Sequence, residues 1–325
     1  MRKDIITTEY FQDNERFADF FNGYVFRGKK IIQPEHLTEQ EIRGVMGREG
    51  TNGRSGRKYL YRDILKKSCQ GMHYLLLGIE NQSDIHYAMP IRNMIYDAIA
   101  YDEQLTSIRK KHKQVQDLKG AEKLSGFSRN DRLAPVITAV IYYGKQPWDG
   151  PKDLFGMLQM SAIPKEALKY INNYKITIFE ARRDKVDCFH TEIRQCFQFL
   201  QYESDRKVLR QLVERDEAYQ KLSGDTLEML SILSGESKLM INKEQYGSER
   251  EGGYNMCKAF EDERLEGKRE GRREGKKEGI KIGENRAIKK MAHGMRSLGV
   301  SIDIILQAIM ESYHLSRTEA ERYLN

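Results

Sequence analysis

One stretch of the chain decides the fold: Tyr74-Leu75-Leu76-Leu77-Gly78-Ile79-Glu80-Asn81-Gln82. Its apolar part has the length and composition of a strand that is buried on both faces, and polar residues follow where such a strand would emerge. Because side chains alternate along a strand, Glu80 and Gln82 are expected on one face and Asn81 on the other. The stretch therefore predicts an interior strand that ends in a polar site.

A second strand is predicted just before this one. The run from Tyr59 to Leu65 contains Asp63, and about ten residues separate the two runs, which suits a hairpin. The hairpin would bring Asp63 and Glu80 to one place. Two converging carboxylates are what a hard divalent cation such as Mg²⁺ (or Mn²⁺) needs, and the backbone carbonyl of Asn81 is a candidate further ligand.

Motifs before and after these strands complete an ordered set. A predicted helix carries Met89-Pro90-Ile91-Arg92-Asn93-Met94-Ile95-Tyr96-Asp97, a later segment runs from Ala134 to Gly144 before Trp148, and an early one runs from Arg16 to Asn22 and on to Gly28-Lys29. With Asp63 and Glu80-x-Gln82, this set resembles the Rpn family of recombination-promoting nucleases. These proteins are also known as YhgA-like transposases and belong to the PD-(D/E)xK nuclease superfamily.

The resemblance implies an α/β fold, a restriction-endonuclease-like mixed sheet flanked by helices. It also implies a metal-dependent DNA endonuclease that promotes recombination and is associated with transposition, with Asp63, Glu80 and Gln82 as catalytic residues. The superfamily's lysine position is Gln82 here. A neutral amide cannot act as a general base, so Gln82 would only orient the attacking water. Glu9 is the candidate for a further acidic ligand on the first helix, and a solvent-facing or capping role for it stays open.

The helix after Gln82 supplies candidate DNA contacts. Ser83-Asp84 is a predicted N-cap, the regular helix is expected to begin near Pro90, and it should extend to about Gln104. Arg92 and Tyr96 share a face of this helix. If that face looks toward the carboxylates, Arg92 would contact a phosphate and Tyr96 would help to place it. Alternatively, Tyr96 packs on the sheet and Arg92 pairs with a local acid.

Residues 43 to 58 combine repeated glycines with the basic residues Arg54, Arg57 and Lys58. This composition predicts a flexible basic loop. Such a loop can close over a phosphate backbone, but a plain connection is equally consistent with the pattern.

The overall composition limits the class of protein. The chain has 325 residues, a formal net charge of +7 and four widely spaced cysteines. The charge suits a polyanionic partner such as DNA, and it equally suits a solvated surface rich in lysine. The cysteine pattern fits a reducing cytoplasm, where a DNA endonuclease would associate with the nucleoid. No apolar run approaches the roughly twenty residues that span a bilayer, and no signal-peptide core follows the N-terminus, so no membrane partner is expected.

The sequence predicts a nuclease core over residues 1–185, a helical extension over 186–245, a charged linker or helix over 246–286 and a small helical segment over 287–325. In the third part, glycine recurs every fourth residue from Gly267 to Gly283 among glutamate, lysine and arginine. This part is predicted to be a mixed-charge linker or a self-associating helix that makes homo-oligomers, or else a DNA-tracking arm.

Two functions of other classes remain as alternatives. The first is a catalytically degenerate DNA-binding or recombination-associated protein, since the lysine is missing. The second is a self-associating assembly protein that uses the glycine-rich part.

Overall fold

A computed structural model describes residues 2–40, 43–48, 56–61, 63–70, 73–235, 246–248 and 252–324. The chain divides into two compact units, Met1–Cys257 and Lys258–Asn325. The predicted class is confirmed: the protein is α/β, with a mixed sheet flanked by helices and a helical C-terminal region. Within the described ranges, no helix is both long and apolar enough to cross a membrane.

The strands, in chain order, are β1 (Leu37–Glu39), β2 (Arg43–Arg48), β3 (Gly56–Tyr61), β4 (Ile64–Gln70), β5 (His73–Gln82), β6 (Val136–Tyr142), β7 (Thr177–Glu180), β8 (Gly247–Ser248) and β9 (Gly253–Tyr254). Five of them form one sheet in the spatial order β1-β4-β5-β6-β7. The pairs β1–β4 and β4–β5 are antiparallel, while β5–β6 and β6–β7 are parallel.

The helices, in chain order, are α1 (Arg2–Gln12), α2 (Asn14–Phe20), α3 (Met89–Val115), α4 (Gly120–Ser125), α5 (Lys165–Leu168), α6 (Ile193–Tyr202), α7 (Arg206–Arg215), α8 (Gly224–Ser234), α9 (Met256–Ser297), α10 (Ile302–Tyr313) and α11 (Arg317–Glu321). The predicted start of α3 at Pro90 is confirmed, because Pro90 lies in its first turn. The predicted Ser83-Asp84 cap is wrong, since the N-cap residue is Ala88.

The hairpin prediction is correct in its pairing and wrong in one strand's bounds. The predicted run from Tyr59 to Leu65 is not one strand, because it divides around Asp63 into the end of β3 and the start of β4. The strand that pairs with β5 is β4, in the register Ile64↔Ile79 to Gln70↔His73. The apolar residues Ile64 and Leu65 therefore belong to the central sheet, whereas Tyr59 to Tyr61 belong to the separate β2–β3 ladder.

The prediction of a flexible loop over residues 43 to 58 is also wrong. Strands β2 and β3 pair there as a separate antiparallel ladder, from Arg43↔Tyr61 to Arg48↔Gly56. Tyr59, Leu60 and Tyr61 have high strand propensity, and backbone pairing does not require side chains at the glycines. Arg54 and the side chains of Arg57 and Lys58 lie outside the described part of the chain.

The N-terminal region forms two helices with a break between them. Asp13 caps α2 by accepting a hydrogen bond from the backbone N–H of Arg16, so a new helix starts directly after α1. A π-helical turn, Phe21–Val25, follows α2. The aromatic residues of this region are in the core, since Phe17, Phe20 and Phe21 are fully buried.

The two faces of the sheet carry different helices. On one face, Thr138 of β6 donates to Asp97 of α3 at 2.6 Å. On the other face, the ring of Tyr143 contacts Phe197 of α6, with centroids 6.4 Å apart. Alternation along β5 therefore directs Glu80 and Gln82 toward α3 and Asn81 toward α6.

The second unit has its own small core, formed where the C-terminal part of α9 meets α10 and α11. The buried residues of this core are Ile288, Ala292, Ile305, Leu306, Ile309 and Ala320. A capping box formed by Ser316 and Glu319 begins α11.

Candidate active site

The register of β4 and β5 brings Asp63 beside Glu80. The β4–β5 ladder ends at the pair Ile64↔Ile79, so Asp63 directly precedes one member of that pair and Glu80 directly follows the other. The Asp63 carboxylate is held at this position, because its Oδ2 accepts a hydrogen bond from the backbone N–H of Asn81 at 2.7 Å. Besides the effect of burial, both carboxylates raise the pKa of Arg92 and of Tyr96, so they lie near the same two side chains of α3.

Glu80 is fully buried and lies within reach of a cation from α3. Its Oε2 is 3.4 Å from Nη2 of Arg92. The Nε of Arg92 in turn donates to the hydroxyl of Tyr96 at 3.2 Å. Burial acts to lower the pKa of Arg92, but the Glu80 carboxylate, with smaller contributions from Tyr96 and Asp63, raises it above its usual value. Arg92 and Tyr96 therefore face the carboxylates, and Arg92 also pairs with a local acid, which is Glu80 itself.

Tyr96 is 4 % exposed, and its hydroxyl accepts the hydrogen bond from Nε of Arg92. Burial and the negative charge of Glu80 raise the pKa of Tyr96, so its hydroxyl keeps its proton near neutral pH. A neutral hydroxyl can accept the Arg92 N–H and still donate a hydrogen bond of its own.

Asn81 and Gln82 follow Glu80 as the last two residues of β5. The Asn81 side chain points away from α3, and its Oδ1 accepts from the Tyr143 hydroxyl at 3.0 Å. The N–H and C=O of one strand residue point to the same side, so the Asn81 carbonyl faces the Asp63 side of β5. The half-buried Gln82 side chain lies on the Glu80 face, while its backbone carbonyl accepts from the N–H of Tyr143.

Two other charged residues lie elsewhere. Glu9 is exposed on α1, whose residue Tyr10 is bonded to Thr226 of α8 on the far face of the sheet, so the structure does not bring Glu9 into this set. Lys66 of β4 is fully buried on that same face, where it donates to the carbonyl of Gln12 and to Asn14 Oδ1. Lys66 therefore ties the break between α1 and α2 to the sheet and does not replace the lysine absent at Gln82.

His86 was missed by the sequence reasoning. It lies between β5 and α3, and burial followed by the positive charge of Arg92 lowers its pKa, so the imidazole is neutral at pH 7. Its Nδ1 is buried and lacks a hydrogen-bond partner within the described part of the chain. A single histidine before Pro90 has no spacing pattern that would mark it, so only the fold reveals its place beside Arg92.

The donors at this site fit a hard divalent cation. Two carboxylates and one backbone carbonyl offer only oxygen ligands, which Mg²⁺ prefers, and Mg²⁺ usually keeps several waters in addition. The described residues contain no group of three histidine, cysteine, aspartate or glutamate side chains arranged to hold a metal ion. Any ion here would therefore rely on Asp63, Glu80, the Asn81 carbonyl and water.

Comparisons of the chain with protein-family models, with curated proteins and with solved structures found no match. Any conclusion about function therefore depends on the residues themselves. The decisive relationship is that Asp63 and Glu80 adjoin the terminal pair of the β4–β5 ladder, while Arg92 and Gln82 lie on the face of the sheet that carries Glu80.

Proposed function

We propose that this chain is a metal-dependent DNA endonuclease whose Asp63 and Glu80 hold Mg²⁺ or Mn²⁺. The observation that supports the proposal is that Asp63 and Glu80 adjoin the terminal pair of the β4–β5 ladder, with a guanidinium 3.4 Å from the second carboxylate. The proposed fold is restriction-endonuclease-like. Support for it comes from the mixed sheet, in which the acids lie at the end of an antiparallel pair and α3 packs on the parallel strand β6.

Each residue has a distinct task in the proposed reaction. Asp63, Glu80 and the Asn81 carbonyl would hold the ion, which when bound lowers the pKa of a coordinated water and neutralises charge on the phosphoryl group. The amide of Gln82 both donates and accepts, so it orients the attacking water without taking its proton. Arg92 contacts a phosphate next to the cleaved bond, and Tyr96 fixes the direction of its guanidinium.

Arg92 serves two partners in this proposal. In the absence of another cation it neutralises the buried Glu80 carboxylate, which would otherwise be costly to keep ionised. Its side chain is 29 % exposed, so Arg92 is accessible from solvent. In this proposal the same residue stabilises the Glu80 carboxylate and contributes to substrate binding.

A cleavage assay on supercoiled plasmid tests this proposal. The full chain is incubated with Mg²⁺, with Ca²⁺ and with EDTA, alongside Asp63→Asn and Glu80→Gln, which keep side-chain size. The matched control is Asp84→Asn, an exposed acid that lies two residues beyond Gln82. We expect cleavage in Mg²⁺ alone, and losses of at least about 100-fold in both site variants, because metal catalysis supplies several kcal/mol.

Unchanged cleavage by Asp63→Asn or Glu80→Gln would refute the assignment. Because Glu80 is buried and its replacement can affect folding, circular dichroism and thermal unfolding accompany each assay. Asp63→Asn, at a partly exposed position, keeps the test decisive if Glu80→Gln does not fold.

The proposed cellular role is the promotion of recombination, associated with transposition, by a protein that acts on the nucleoid in the cytoplasm. The test is the recombination frequency of a reporter plasmid in cells that express wild-type chain or Asp63→Asn. Equal recombination frequencies with wild-type chain and Asp63→Asn would show that the cellular role does not depend on DNA cleavage.

One alternative is favoured by two observations. Gln82 stands at the lysine position, and Arg92 is already paired with Glu80. Both features suit a degenerate site in a protein that binds DNA without cutting it. That alternative predicts salt-dependent DNA binding and no metal-dependent turnover.

A further inference from the structure

A second candidate site lies far from the carboxylates, at the outer end of α3. There, α3, α4 and the turn between them enclose a cavity of about 700 Å³. Three exposed cations line it, Arg109 and Lys113 from α3 and Lys123 from α4, and we name these three residues the α3–α4 cationic surface. No carboxylate is among the residues that line the cavity within the described part of the chain.

The cavity wall is built by specific contacts. His112 bridges two acids, with Nδ1 2.7 Å from Asp117 and Nε2 2.8 Å from Asp131. Gly126 ends α4 in the left-handed conformation, at φ +67°, so the chain turns back over α3. Arg109 Nε then donates to the Ser125 carbonyl at 3.1 Å. These contacts hold the cations around one concave surface.

The nearby acids are engaged elsewhere. Asp117 and Asp131 bind His112, and Oε1 of Glu122 accepts from the Ser128 hydroxyl and the Arg129 backbone. Within the described ranges, the three cations of the surface form no ion pair with a carboxylate. Three more exposed lysines are close to it in the sequence, namely Lys110, Lys111 and Lys119. Neighbouring cations that form no ion pairs of their own repel one another, and a bound polyanion removes that repulsion.

We propose that the α3–α4 cationic surface binds the phosphate backbone of duplex DNA. The identity of the polyanion as DNA rests on the proposed nuclease function. Arg109 follows Arg92 by 17 positions on α3, which corresponds to about 25 Å along the helix axis. At about 3.4 Å per base pair, a duplex that reaches both places extends roughly seven base pairs beyond the cleaved bond. The surface therefore anchors DNA away from the site of chemistry.

The salt dependence of DNA binding tests this proposal. Fluorescence anisotropy with a labelled duplex in Ca²⁺ compares the full wild-type chain with the triple variant Arg109→Gln, Lys113→Gln, Lys123→Gln. The matched control is Arg215→Gln, Lys165→Gln, Lys221→Gln, which removes the same charge from exposed positions on other elements. We expect the slope of log K against log salt concentration to fall by about 2 to 3 in the first variant, since each phosphate contact contributes about 0.9.

Two results would overturn the proposal. One is an equal loss in the triple variant and the matched control, which would show only the effect of net charge. The other is equally tight binding of poly-glutamate or tripolyphosphate by wild-type chain, which would show that the surface does not prefer DNA. Far-UV circular dichroism verifies that both variants keep their helices.

The outcome is distinguishable from failure of the nuclease proposal. If only the anchoring surface is wrong, the triple variant binds DNA like the matched control, and wild-type chain still cleaves in Mg²⁺. If only the nuclease assignment is wrong, wild-type chain binds with the expected salt slope and does not cleave.

Discussion

Asp63 accepts the backbone N–H of Asn81 at 2.7 Å, so the acid at the start of β4 is bonded to the residue that follows Glu80. This bond holds one carboxylate in place, whereas an ion pair with Arg92 compensates the other. The two acids thus differ in their dependence on added cations. Asp63 is held by a backbone donor, while the partner of Glu80 is a side chain that can move.

Replacing Arg92 is therefore expected to affect metal binding and DNA cleavage in opposite directions. In Arg92→Gln, Glu80 loses the cation that competes with an added ion, so Mn²⁺ should bind at least about tenfold more tightly. Unit charges about 4 Å apart interact by roughly 4 kcal/mol at an effective dielectric constant near 20. Cleavage should fall because the phosphate contact is lost. Titration calorimetry and the plasmid assay measure the two effects.

Arg92→Lys is the control for this experiment, since it keeps the charge but loses the planar fork and the contact to Tyr96. We expect Mn²⁺ affinity close to that of wild-type chain. Weaker Mn²⁺ binding by Arg92→Gln would contradict the idea that the guanidinium and the metal compete for Glu80.

Asp19 is expected to be important for stability rather than for metal binding. Its buried carboxylate accepts hydrogen bonds from the backbone N–H groups of His190 and Thr191 and from the Thr191 hydroxyl. Asp19→Ala leaves these donors without their acceptor, so the free energy of unfolding should fall by about 3 kcal/mol. Urea unfolding followed by Trp148 fluorescence measures the change. Asp187→Ala, at an exposed neighbouring position, should stay within about 0.5 kcal/mol of wild-type chain.

The α3–α4 region should lose stability as pH rises. Hydrogen bonds with Asp117 and then Asp131 raise the pKa of His112 above its usual value. The contribution of His112 is complete below about pH 6.5, the ordinary histidine pKa, and is lost as pH rises through the raised value. Neutral imidazole has a single N–H and cannot donate to both carboxylates. We expect faster amide exchange in α4 at pH 9 than at pH 6, after correction for the intrinsic rate.

The contribution of Asp131 to the stability of the α3–α4 region is lost at low pH. The Ser128 backbone N–H and the His112 ring lower the pKa of Asp131, so its contribution is present above about pH 4 and is lost as pH falls through the lowered value. In His112→Gln, the difference between pH 6 and pH 9 should disappear. An unchanged difference in that variant would assign the effect to another group.

Much of the sheet could be predicted from the sequence, because buried strands are marked by apolar composition. The apolar runs of β5 and β6 are the clearest cases. The β2–β3 ladder could not be predicted in this way, since repeated glycines obscure its alternation. Its pairing depends on backbone hydrogen bonds, which composition does not show.

The candidate site was predictable in its acids and less so in their partners. Asp63 directly precedes β4 and Glu80 lies on its antiparallel partner β5, so the hairpin pattern was enough to place them at the same end of the pair. The pairing of Arg92 with Glu80 depends on how α3 lies across the sheet, which no local pattern determines. The same holds for His86, whose environment is formed only when the chain folds.

The glycines of α9 offer a test of whether the chain self-associates. A Cβ atom at Gly267, Gly271 or Gly275 would meet open space, and none of the three has a positive φ. Alanine at each position should therefore stabilise the helix by about 0.5–1 kcal/mol. In the triple Gly→Ala variant, we expect slower amide exchange across residues 261–283 and an unchanged molar mass by light scattering. If these glycines instead form a close helix–helix contact in an oligomer, the added methyl groups would separate the helices and lower the molar mass, which would favour the assembly function.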